Sequence, residues 1–75
     1  MTIYQTLKKV KPSIKKDWLE NNTDLIENGI LDSFEMLEFI LLLEKKYNFN
    51  YEKYVKKHNN FKINDLEAYL NLKIF

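Results

Sequence analysis

The sequence predicts an all-α fold: a small bundle of four helices, three main and one short, in a single domain over residues 1–75. Three observations predict it. One Gly and one Pro in the chain leave too few tight-turn residues for a sheet of this size. A hydrophobic share of 45%, with 15% aromatic, is enough for a packed core and too much for a disordered segment. Apolar residues also recur at helical spacing in several separate stretches. A chain this short buries only about 60–65% of the surface its unfolded form exposes. It has no room for a second domain or a deep, walled active site.

The elements follow in order. In "TIYQTLKKV", Ile3, Tyr4, Leu7 and Val10 keep the i, i+3, i+4, i+7 spacing of a helix, with Thr2 as its cap. Pro12 interrupts the pattern, because the residue before a proline disfavours helical backbone. "PSIKKDWLENN" reads as a helical turn or two, with Ile14, Trp18 and Leu19 inward and Asn21–Asn22 ending it. Whether these two pieces make one kinked helix or two is open. "NTDLIENGIL" reads as a loop that Leu25, Ile26, Ile30 and Leu31 pin to the core, with Gly29 turning it. Asp32 starts the longest helix. In "DSFE" its side chain can accept from the backbone near Glu35, and Glu35 can reach back, which is a capping box. Both acids suit the positive end of the helix dipole. This helix runs to about Tyr47, where "NFN" breaks it. "YEKYVKK" is a short helix, "HNN" a loop, and "INDLEAYLNL" a last helix with Ile63, Leu66, Tyr69 and Leu70 on one face.

The longest helix has two apolar sides. On a wheel of 100° per residue, Met36, Ile40, Leu43 and Tyr47 form one stripe with Phe39 at its edge, the expected core face. Phe34, Leu37, Glu38 and Leu41 gather on nearly the opposite side. Such an apolar stripe edged by acid beside Ser33 reads as a partner surface; the alternative is that a long loop covers it.

Composition excludes several function classes. The chain has no cysteine and one histidine, His58, which argues against a zinc site or a Ser–His catalytic pair. His58, in a polar loop, reads as solvated. The N-terminus lacks the apolar run of a signal peptide, and "FILLL" is too short to span a bilayer, so a cytoplasmic protein without membrane insertion is expected. The net charge of +1 hides a strong pattern. Five lysines and no acid occupy residues 1–16, and seven lysines with three acids occupy residues 45–75. Between them, Asp17, Glu20, Asp24, Glu27, Asp32, Glu35, Glu38 and Glu44 stand without a lysine. An acidic centre steers basic partners and repels nucleic acid, and the absence of arginine weakens any reading of bases or phosphates.

Gly29-Ile30-Leu31-Asp32-Ser33-Phe34 resembles the Asp-Ser-Leu phosphopantetheine attachment motif of acyl carrier proteins. The length, the serine heading the main amphipathic helix and the closing "FKINDLEAYL" extend the resemblance over the whole chain. Within that superfamily "GILDSF" is most similar to the D-alanyl carriers and to free-standing carriers that work beside adenylating enzymes. The resemblance implies that Ser33 carries a 4′-phosphopantetheine arm, transferred from coenzyme A by a separate phosphopantetheinyl transferase. The arm's thiol would hold an acyl or aminoacyl group as a thioester. Asp32 would cap the helix and engage the transferase. Phe34, Glu35, Leu37, Glu38 and Leu41 would contact partners, namely an adenylating or acyl-loading enzyme and a downstream acyltransferase or condensing enzyme. The protein would be a monomeric carrier, not an enzyme.

Departures from the family pattern point away from a housekeeping fatty-acid role and towards a specialised pathway. Lys45 and Lys46 stand where such carriers stay acidic, and Lys62 where a Ser or Thr would cap the last helix. Trp18 is not at the late tryptophan position of D-alanyl carriers, so D-alanyl transfer is the second reading. A reading of another class is an unmodified helical docking module in which Ser33 is incidental.

Overall fold

The computed structural model describes residues 1–75. Four α-helices follow one another: α1 Ile3–Val10, α2 Ser33–Tyr47, α3 Tyr51–Lys57 and α4 Ile63–Leu70. A short 3₁₀ turn, Lys16–Leu19, lies between α1 and α2. No strand forms; a single antiparallel bridge pairs Asp24 with Lys62. The fold is thus the small all-α bundle that periodicity predicts, with α3 as the short member. No helix is long and apolar enough to cross a membrane.

Local chemistry sets the helix ends. Thr2 caps α1 in a capping box with Gln5. α1 stops at Val10 because Pro12 holds Lys11 out of the helical region, at φ −135° and ψ 89°. The question of one helix or two is thereby answered: α1 ends, and only a 3₁₀ turn follows. α2 ends at Asn48 and α4 at Asn71, both in the left-handed region that asparagine tolerates better than most residues. Two helices borrow partners from distant chain. The first amides of α1, Ile3 and Tyr4, donate to the Lys73 and Ile74 carbonyls of the tail, at 3.0 and 2.9 Å. α4 has Lys62 at its cap position and no side-chain cap. There Ile63 N–H donates to the Thr23 carbonyl at 2.9 Å and Asn64 N–H to Asn22 Oδ1 at 3.0 Å.

The core runs through every element: Ile3 and Leu7 from α1, Leu25, Ile30 and Leu31 from the loop, Phe39 and Leu43 from α2, Tyr54 from α3, Ile63 and Leu66 from α4. Phe49, Tyr54, Phe61 and Tyr69 meet in a cluster of tilted and edge-on rings, which such quadrupoles favour. The Tyr54 hydroxyl is buried with no hydrogen-bond partner, and burial, with Asp65 and Asp24 nearby, raises its pKa well above the usual tyrosine range.

Four expectations need correction. Ile14 and Leu19 are buried, but Trp18 is 36% exposed, because the tight 3₁₀ turn that carries Leu19 inward carries its neighbour outward. Leu25, Ile30 and Leu31 pin the loop, but Ile26 is 51% exposed. Asp24 Oδ1 accepts from both Ile26 and Glu27 N–H, at 2.9 Å each, and this turn sends Leu25 in and Ile26 out. In α2 the buried stripe is Met36, Phe39 and Leu43, while Ile40 and Tyr47 are half-buried. α1 is the helix α2 packs on most extensively, and the buried stripe is centred on Phe39, with Ile40 at its margin. His58 is not simply solvated: its Nδ1 lies 3.6 Å from Asp65 Oδ2, and its ring stacks on Tyr54.

Candidate functional site around Ser33

Ser33 is the first residue of α2 and is exposed. The capping box predicted from "DSFE" is present in full. Asp32 Oδ1 accepts from Glu35 N–H at 2.8 Å, and Glu35 Oε1 accepts from Asp32 N–H at 3.0 Å. Asp32 O takes the Met36 N–H at 2.8 Å. The N–H groups of Ser33 and Phe34 have no acceptor within the chain. Two free amide donors thus flank the Ser33 hydroxyl at the positive end of a fifteen-residue helix, an arrangement that suits an anion attached to that oxygen.

The second apolar stripe of α2 is uncovered. Phe34 is 68% exposed, Leu37 54% and Leu41 55%. No loop lies over them, so the alternative of a covered stripe does not hold. Beside this stripe a groove of about 560 Å³ runs from Asp32 and Ser33 along α2. Ile26 of the loop, Leu37, Ile40 and Leu41 of α2, Tyr51 of α3 and Phe61 line its length. Neither Ile26, expected in the core, nor Tyr51 was among the site residues expected from the sequence. Their exposure beside Ser33 depends on how the loop and α3 pack, which no local pattern encodes.

The acidic centre is smaller than the sequence suggests. Asp24 is buried and takes three backbone N–H groups, those of Ile26, Glu27 and Phe61. Burial alone would raise its pKa; these donors outweigh it and leave the carboxyl below its ordinary range. Glu35 is half-buried. Its Oε1, besides accepting from Asp32, stands 3.4 Å from Lys11 Nζ. The structure therefore gives Glu35 an internal task where a partner contact was expected. Asp32, Glu38 and Glu44 remain exposed along α2. At the far end of α2, the like charges of Lys9 and Lys45 near Lys46 lower its pKa.

The carboxylates nearest Ser33 in the chain, Asp32 and Glu35, are both engaged in the capping box. His58 is engaged with Asp65, Tyr54 and Tyr69. No three His, Cys, Asp or Glu side chains converge as metal ligands. Of the predicted site residues, the structure brings Asp32, Ser33, Phe34, Leu37, Glu38 and Leu41 onto one exposed side of α2 and its start, and turns Glu35 inward. Comparison of the chain with protein-family models, with curated proteins and with solved structures finds no match.

Proposed function

We propose that this protein is a carrier whose Ser33 bears a 4′-phosphopantetheine arm and which presents an acyl or aminoacyl thioester to partner enzymes. The observation that carries the reading is the exposed Ser33 hydroxyl at the capped start of α2, between two unpaired amides and beside an uncovered apolar face. In the transfer, a bond forms between Ser33 Oγ and the inner phosphorus of coenzyme A. The pyrophosphate bond breaks, adenosine 3′,5′-bisphosphate leaves, and the hydroxyl proton passes to a base of the transferase. The arm supplies the thiol that the cysteine-free chain lacks. The chain's own contribution is placement. Asp32 and Glu35 fix the helix start, the Ser33 and Phe34 amides face the added phosphate, and Phe34, Leu37, Glu38 and Leu41 offer the docking face. Loading and downstream enzymes with basic, partly apolar surfaces fit that face. A role in a specialised pathway is the first reading and D-alanyl transfer the second.

The test is intact mass after incubation with coenzyme A, magnesium and a broad-specificity phosphopantetheinyl transferase. Wild type gains one phosphopantetheine and Ser33→Ala gains none. Wild type left unchanged by several such transferases refutes the carrier reading and leaves the Phe34–Leu37–Leu41 face as a docking surface without an arm.

A further inference from the structure

Lys11 stands apart from the other N-terminal lysines, for it alone donates to a backbone carbonyl. Its Nζ lies 3.0 Å from the Ile30 carbonyl and 3.4 Å from Glu35 Oε1. The sequence explains its direction. Pro12 holds Lys11 extended at the end of α1, and from there its side chain crosses to the loop before α2. Glu35 Oε1 is shared between the Lys11 ammonium and the Asp32 N–H. One cation therefore joins three points: the end of α1, the last loop segment at Ile30, and the capping box. Ser33 sits between the two box residues.

We propose that Lys11 is a positioning residue for Ser33: by clamping the Ile30 carbonyl and the Glu35 carboxylate, its ammonium holds the loop–helix junction in the geometry that presents the Ser33 hydroxyl for modification. The proposal rests on the carrier reading of Ser33. The Lys11–Glu35 pair is partly exposed, with side-chain accessibilities of 26% and 23%. Such pairs do little for global stability, so its effect is local. Without the ammonium, Glu35 is free to leave the Asp32 amide, and the first turn of α2 samples orientations in which the hydroxyl is misdirected. Misplacement of a reacting group acts on the transfer step more than on encounter.

The experiment compares wild type with Lys11→Met, Lys11→Arg and Lys15→Met. Lys15 is exposed and makes no side-chain hydrogen bond or ion pair, so its variant removes the same charge without the clamp. Steady-state phosphopantetheinylation is measured with the carrier as varied substrate, together with amide hydrogen exchange. Lys11→Met lowers kcat about tenfold with KM near wild type. It speeds exchange at the Asp32, Glu35 and Met36 amides and leaves Phe39, Leu43 and Leu66 protected. Lys11→Arg recovers most of the rate, and Lys15→Met matches wild type. The proposal is overturned if Lys11→Met is modified within twofold of the wild-type rate, if Lys15→Met slows equally, or if exchange rises throughout α2 and α4 together. An unmodified wild type is a separate outcome: it removes the carrier reading and the proposal with it.

Discussion

Asp24 keeps its charge in the interior because three backbone N–H groups meet it there, two from the next residues and one from Phe61, 37 positions away. It thereby ties the loop before α2 to the start of α4. Its folded pKa lies below its unfolded value. The sign follows: the stabilisation is complete above the ordinary carboxylate pKa, near 4, and is lost as pH falls through the lower folded value. Asp24→Asn keeps one acceptor but turns a donor towards the Phe61 amide, and should cost about 1–3 kcal/mol at neutral pH. Urea midpoints measured between pH 7 and 2 should show a shallower acid limb for the variant than for wild type; parallel curves would contradict the assignment. The sequence placed Asp24 in the acidic centre expected to steer partners. Its bonds to Ile26 and Glu27 follow a local turn pattern, but the bond to Phe61 exists only in the folded chain. Glu35 is the converse: its capping bond was legible in four residues, while its contact with Lys11 was not.

Each end of α2 was legible because its chemistry is local. The cap needs only "DSFE", and the break needs only Asn48 in the left-handed region. Its two apolar stripes were legible from periodicity, but the centre of the buried one was not. A wheel gives relative angles, and the packing of the other elements on α2 decides which angle points inward. The start of α4 shows the same limit, since its cap comes from Asn22 and Thr23. The two faces predict different costs. Leu43→Ala should lose roughly 2–5 kcal/mol, a large share of a small domain's stability. Phe39→Leu should also destabilise clearly, and Ile40→Ala less than Leu43→Ala. Leu37→Ala and Leu41→Ala should stay within about 0.5 kcal/mol. Denaturant unfolding of the five variants checks this ordering; equal losses from Leu37 and Leu43 would mean that α2 is buried on both sides.

Across the whole molecule, the exposed features on which the carrier reading rests lie together. Ser33, the uncovered stripe of Phe34, Leu37 and Leu41, the groove edged by Ile26 and Tyr51, and the acids Asp32, Glu38 and Glu44 share the surface around the start and one side of α2. Lysines hold the other end of that helix. The sequence showed the serine, the stripe and the acidic centre because each is contiguous or periodic. It did not show the groove, which the loop and α3 make only by folding against α2. The chain also contains its own control. It has two serines, both exposed: Ser33 at the capped start of α2, and Ser13 in the segment after Pro12, outside every helix. The most direct measurement is fragmentation mass spectrometry of the protein after incubation with coenzyme A and a phosphopantetheinyl transferase. All of the added phosphopantetheine should map to Ser33 and none to Ser13, with Ser13→Ala modified as wild type. An arm on Ser13, on both serines or on neither would contradict the account.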